Sequence, residues 1–353
     1  MGTDDGMENK RRDYYIAQKL LEMQYHEHIH YNISAISTET FPIVVCLLCG
    51  LLIFEFIGLR SLQVVTKQKL FWIYPDNNSA DIQEHDSSNV KPLNTFLMNE
   101  ACQENQNEVF SEFETIQLLF VVKSHILNIG KREAIRRTWG NVKELHVKTV
   151  FVVGYLQNMD TFADFETKRY KDIIRMKMED KYENIVYKTI YSVLCLSGLN
   201  IKTEFVHIVD DDRLVNALNV YDIAMKSIAQ SEIAMIGFMV YLSRPDRKET
   251  SKNYISWEDY PFLYFPSYII GGTILTNMKT INQLAKAVEY VKIVQIEDVF
   301  IGMVATAFKI DMRHHSGFSP FKQPVHLLKN TLSSPGYETA YLLLRDWELM
   351  RRW

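Results

Sequence analysis

The chain has 353 residues, 47% of them hydrophobic and 23% charged, with a formal net charge of −4. That is the composition of an ordinary globular chain, long enough for one large domain or two small ones. Nothing in the charge balance suggests a nucleic-acid surface, and no internal repeat is visible.

The first 40 residues are polar, and their one basic cluster, Lys10-Arg11-Arg12, reads as a solvated patch. Phe41 to Leu59 (FPIVVCLLCGLLIFEFIGL) is the longest apolar stretch. It is near the ~20 residues that cross a bilayer. A buried core helix is the alternative, but polar sequence flanks the stretch on both sides, which favours a membrane span. A cleavable signal peptide would start near residue 1 and end in small residues. Arg60, Lys67 and Lys69 follow closely, so the positive-inside rule weakly puts the C-terminal side in the cytoplasm.

Cys46 and Cys49 fall inside the apolar stretch, whereas Cys102 and Cys195 lie beyond it. A bond between the latter two would need an oxidising compartment. Residues 60–112 are rich in Asn, Gln, Glu and Ser and read as a stem with little core of its own.

Periodic structure begins at Ile116. Apolar runs at 116–122 and 147–154, a short one at 172–176, and one at 233–238 read as strands; 131–139, 161–170, 185–199, 215–229, 280–290 and 300–308 read as helices. Their alternation predicts an α/β fold with a mainly parallel sheet and helices on both faces. Between two of the helices comes Glu204-Phe205-Val206-His207-Ile208-Val209, followed at once by Asp210, Asp211 and Asp212. This reads as a buried strand with three carboxylates past its carboxyl end, where open α/β sheets place ligands. Alternation along a strand would point Asp210 and Asp212 one way and Asp211 the other. A hard divalent cation with oxygen ligands and a simple acidic helix cap are both compatible with the triplet.

Six blocks then match one pattern in order. They are Arg132-Glu133-Ala134-Ile135-Arg136-Arg137-Thr138-Trp139-Gly140; Phe151-Val152-Val153-Gly154; Asp180 to Thr189 (DKYENIVYKT); Asp210-Asp211-Asp212-Arg213-Leu214-Val215-Asn216; Tyr260-Pro261 with Pro266 to Gly272 (PSYIIGG); and Glu297-Asp298-Val299-Phe300-Ile301-Gly302. Together they resemble glycosyltransferase family 31, the β-1,3-galactosyltransferases and β-1,3-N-acetylglucosaminyltransferases. The resemblance implies a GT-A-type fold and an inverting mechanism that uses a UDP-sugar, a glycan acceptor and Mn²⁺. It also implies a single-pass type II protein of the Golgi membrane, with tail 1–40, signal-anchor 41–59, lumenal stem 60–112 and catalytic domain 113–353. A lumenal C-terminal side would overrule the weak charge signal.

Residue by residue, the resemblance gives Asp210 and Asp212 the metal and turns Asp211 to donor sugar or ribose. Asp298 becomes the base and Glu297 its neighbour toward the acceptor. Asp298 would otherwise be an acid favoured at a helix N-terminus. Val325-His326 resembles the block that completes the metal shell, with His314 and His315 as competitors. Arg132 and Arg136, four apart on one helix face, would reach the diphosphate, with surface salt bridges the alternative. Tyr182 and Lys188 are candidates for the nucleotide, and Gly271 and Gly272 for close backbone approach to the sugar. Trp257 and Tyr268 would stack on sugars or pack as core. Departures from the family are Ile269 and Val304 where Cys is common, Thr273-Ile274 for a usual Gly-Tyr, and Arg213 beside the acids. An inactive, glycan-binding member of the family is the other reading. A phosphotransferase is disfavoured, because no G-x-x-x-x-G-K loop is present.

Overall fold

The computed structural model describes residues 109–110, 115–199, 201–228 and 232–352. The expected tail, membrane span and nearly all of the stem lie outside the described residues. Among the described residues, no helix is long and apolar enough to cross a membrane.

The continuous apolar run Ile116–Lys123 forms β1, which leads into α1 (Ile129–Arg136). β2 (Val147–Tyr155), α2 (Asp160–Tyr170) and β3 (Ile173–Glu179) follow. Lys171 stops α2 with a left-handed φ of 51°. Then come α3 (Ile185–Gly198), β4 (Thr203–Asp210), the short β5 (Leu214–Val215) and α4 (Ala217–Ser227). The Asn216 side chain caps α4 by accepting the Asn219 N–H at 3.3 Å.

β6 (Ala234–Gly237) is followed by the short pair β7 (Met239–Val240) and β8 (Tyr268–Ile269), then β9 (Thr273–Thr276) and α5 (Met278–Ala287). The chain ends with α6 (Glu297–Ala307), β10 (Asp311–His314), β11 (Ser333–Ser334) and α7 (Ala340–Arg352).

Seven strands make one sheet in the order β10-β6-β9-β4-β1-β2-β3. β4, β1, β2 and β3 are parallel neighbours, and β10 is parallel to β6. β9 runs antiparallel between β4 and β6. The mainly parallel α/β class is therefore as expected. The inserted β9 is not: four residues behind Gly271-Gly272 give too short a run to read as a strand.

Side chains alternate between two cores. Leu119, Val121, Val150, Val152, Val206 and Ile208 face helices α3, α5 and α6. Leu118, Phe120, Phe151, Val153, Phe205 and Val209 face α1, α4 and α7. A strand buried on both faces reads as one unbroken apolar run, which is why β1, β2 and β4 stood out in the sequence.

The order also fixes where a ligand fits. From β1 the chain winds outward one way through β2 and β3, whereas β4 lies on the other side of β1. The crevice at the carboxyl ends of β1 and β4 is the switch point of the sheet, where α/β proteins bind ligands.

Candidate active site

Lys123 ends β1 and Asp210 ends β4, and the parallel register pairs them. The Lys123 ammonium, 4% exposed, lies 3.0 Å from Asp210 Oδ1. It also donates to Glu297 Oε1 at 2.5 Å and to the Gly271 carbonyl at 3.1 Å. Burial alone would depress this lysine, but Asp210 and Glu297 outweigh it and hold the ammonium above the usual lysine range.

The strand ends at Asp210, so alternation does not carry through the triplet. Asp211 and Asp212 sit in a turn, and all three carboxylates line one cavity of about 280 Å³ together with Lys123, Lys131 and Lys188. This corrects the expectation that Asp211 faces away. Its Oδ2 accepts from Ser124 Oγ at 2.7 Å and Asn128 Nδ2 at 2.9 Å, and its Oδ1 lies 3.2 Å from Lys131 Nζ. Burial raises the Asp212 carboxyl, and the charge of Asp210 raises it further. Arg213 is buried next to them. Its Nη1 donates to the Ser319 carbonyl at 3.1 Å, and its Nε is buried without a hydrogen-bond partner among the described residues.

A second cavity, of about 450 Å³, adjoins the first through Asp210, Tyr182 and Ile185. Gly271, Gly272, Glu297, Asp298 and Tyr268 line it. Glu297 and Asp298 form the first turn of α6, which begins three residues earlier than its apolar pattern suggested because acids are favoured at a helix N-terminus. Burial raises the Asp298 carboxyl above the usual aspartate range. It pushes Glu297 up to about 7 despite the pull of Lys123. Oε1 of Glu297 is taken by Lys123 and by the Thr189 hydroxyl, so this oxygen is committed inside the protein rather than to an acceptor.

Other candidates go elsewhere. Arg132 is 1% exposed, and its nitrogens bond to Glu166, Ser124 and the carbonyls of His125 and Ile126. Arg136 forks onto Asp172 at 2.8 and 2.9 Å, stacks 3.9 Å from the Tyr170 ring and lies 2.8 Å from Glu166. The internal salt bridges, not the diphosphate, are where both arginines go. Arg132 thereby fixes the loop 124–126 that follows β1. Lys188 is bound to Asp180 Oδ1 and the Ser124 carbonyl, both at 2.6 Å, although it still lines the smaller cavity.

His326 is exposed and lines neither cavity. His314 accepts from the Met239 N–H, and His315 from the Gly317 N–H. Among the described residues, no three His, Cys, Asp or Glu side chains gather into a ready metal cage. Asp210 and Asp212 nonetheless fit a hard cation as a pair. Their like charges crowd one pocket, and such ions are commonly held by one or two carboxylates plus substrate phosphates. Trp257 is exposed, with the Arg247 guanidinium 4.0 Å from its ring, and does not line the cavity. Cys195 is disulfide-bonded, and Cys46, Cys49 and Cys102 all lie outside the described residues.

Lys123 and Ser124 belong to the site although they lie outside all six matched blocks, and Thr189, the last residue of the third block, bonds Glu297 without having been given a role. A cation closing an otherwise apolar strand is the one signal in the sequence that could have singled out Lys123.

Fold and site define an α/β enzyme whose acids gather at a sheet's switch point. The Galactosyltransferase family model matches residues 130–316, more than half the chain. The chain belongs to that family and is a glycosyltransferase. It is 31% identical over 223 residues to beta-1,3-galactosyltransferase brn of Drosophila melanogaster, covering 62% of this chain and 68% of that one. It is 29% identical to beta-1,3-galactosyltransferase bre-5 of Caenorhabditis elegans, covering 57% and 64%. It is 26% identical to mouse N-acetyllactosaminide beta-1,3-N-acetylglucosaminyltransferase 4, covering 59% and 62%. The matches thus span about two thirds of the relatives' own length.

Proposed function

We propose that this chain is an inverting hexosyltransferase of GT-A type. It moves galactose or an N-acetylhexosamine from a UDP-sugar to a glycan acceptor in β-1,3 linkage. The observation that carries this reading is the meeting of Asp210, Gly271, Gly272 and Asp298 around one cavity of about 450 Å³, the size of a small-molecule site. The adjoining acidic and lysine-lined cavity suits the diphosphate end of the donor.

Asp210 and Asp212 would hold Mn²⁺. Bound there, Mn²⁺ offsets the negative charge that builds on the departing UDP. Asp298 takes the proton from the acceptor hydroxyl as that oxygen bonds to the anomeric carbon and the carbon–oxygen bond to UDP breaks. Gly271 and Gly272 let the sugar approach the backbone, and the space beside them is tight: a Cβ on Gly271 would lie 3.1 Å from Asp298 Cβ and one on Gly272 2.6 Å from Arg213 Nε.

The relatives' names support both galactose and N-acetylglucosamine as donor sugars. Purified enzyme with Mn²⁺ and a panel of UDP-sugars and acceptors decides between them by UDP release. A wild type that binds UDP and transfers nothing would favour an inactive, glycan-binding member. The pairing of the acids with Lys123 and Lys131 lends that second reading some support.

The reading includes a type II Golgi protein with this domain in the lumen. The disulfide at Cys195 supports an oxidising compartment. Replacing Asn77 of the Asn77-Asn78-Ser79 sequon tests it. Loss of an endoglycosidase-sensitive mass is expected, and an unchanged, unglycosylated band would refute use of that site.

A further inference from the structure

An ammonium has three donors and no acceptor. Lys123 makes two hydrogen bonds and an ion pair, and each goes to a different element of the site. One reaches Asp210 at the tip of β4, one Glu297 in the first turn of α6, and one the Gly271 carbonyl in the loop before β9. Its own strand is the centre of this arrangement. Lys123 is 4% exposed, so these contacts are made away from bulk water, where they are strong and geometrically strict. Asp298 is covalently next to Glu297, and a Cβ placed on Gly271 would lie 3.1 Å from the Asp298 Cβ.

We infer that Lys123 is a positioning residue that sets the distance between the acid cluster and Asp298. It ties the strand that carries Asp210 to the helix turn and the glycine loop that place the base. The inference rests on the transferase reading above. It also has a consequence apart from catalysis. Because Nζ holds Asp210 Oδ1, Lys123 competes with any divalent cation for that oxygen.

The test uses the full chain with Lys123→Met and the double variant Lys123→Met/Glu297→Gln. The double variant has the same net charge as wild type, so it escapes the cost of an unpaired buried carboxylate. Cation binding is read by titration with Mn²⁺ alone, and turnover by UDP release. In each folded variant the expected result is a Mn²⁺ dissociation constant at least threefold lower, together with a kcat at least a hundredfold lower and a donor KM changed less than tenfold. Recovery of wild-type kcat in the double variant would reduce Lys123 to a counter-ion for Glu297 and overturn the inference. So would unchanged or weaker Mn²⁺ binding. If Lys123→Met does not fold, the double variant alone decides on the same readouts. A wild type without transfer activity would instead refute the transferase reading, while the cation titration would still report on Lys123.

Discussion

Gly272 lies against the Arg213 guanidinium: a Cβ built on it would sit 2.6 Å from Arg213 Nε and 2.9 Å from Asp210 Oδ2. The glycine is thus required by the packing of the acid cluster, quite apart from any sugar. Gly272→Ala should push Arg213 or Asp210 aside. Overpacking of this kind costs about 1–3 kcal/mol. The expected outcome is a lower melting temperature and weakened Mn²⁺ binding together. A variant with wild-type stability and cation affinity would show that the close approach is not needed.

Asp298→Asn removes the proposed base at almost constant shape. UDP binding should survive, and kcat should fall by about 10²–10⁴-fold, the usual worth of a positioned base. The pH profile gives a second check. Burial raises the Asp298 carboxyl, and a base must be ionised. Activity should therefore fall as pH drops through a point above the usual aspartate range, about 3.9. An acid limb that persists unchanged in Asp298→Asn would assign it to another group.

Arg132 tests the reassignment of the R-x-x-x-R spacing. Its partner Glu166 is 4% exposed and also serves Arg136, and the two arginines hold its carboxyl below the usual glutamate range against the opposing effect of burial. Arg132→Met should leave that carboxylate half-compensated and free the loop 124–126. Breaking a buried pair costs about 3–5 kcal/mol. Urea unfolding should show most of the effect, with donor KM moved little in whatever folds. A stable variant with a much higher donor KM would return Arg132 to the phosphates.

These cases show what the sequence could and could not disclose. β1, β2 and β4 were legible because strands buried on both faces leave continuous apolar runs. The acids at the end of β4 and the pair opening α6 were legible as clusters at element ends. What the pattern could not convey was partner choice. Arg132 has the spacing of a ligand-facing residue, yet Glu166, thirty-four positions away, claims it. Likewise, the alternation rule fails one residue after Asp210, because the chain turns there. β9 and Lys123 escaped for a related reason: each matters through what the topology brings beside it, antiparallel Thr273–Thr276 next to β4 and Asp210 next to β1.

His207 supplies a test of the core behind the site. It is fully buried on β4 between the rings of Phe120 and Phe318, at 5.6 and 5.7 Å. Nε2 shares a 2.6 Å hydrogen bond with Thr273 Oγ1, and Nδ1 has no hydrogen-bond partner among the described residues. Burial, with Arg213 adding to it, lowers this imidazole to about 3. The ordinary value is about 6.5, so in the unfolded chain the ring gains a proton as pH falls below that point, while the folded chain resists. The stability His207 contributes is therefore present above about pH 6.5 and is lost as pH falls toward about 3, at roughly 1.4 kcal/mol per pH unit once the unfolded ring is charged. Carboxylates add their own slope, so the comparison must be differential. His207→Phe keeps an aromatic ring among aromatic neighbours and removes the titration. Urea unfolding at about pH 5.5 and 4.5 should show the wild type losing about 1.4 kcal/mol more than the variant over that interval. Equal losses would mean that the folded protein protonates His207 as readily as water-exposed histidine does, and that the pocket formed by β1, β4 and Phe318 opens at mildly acid pH.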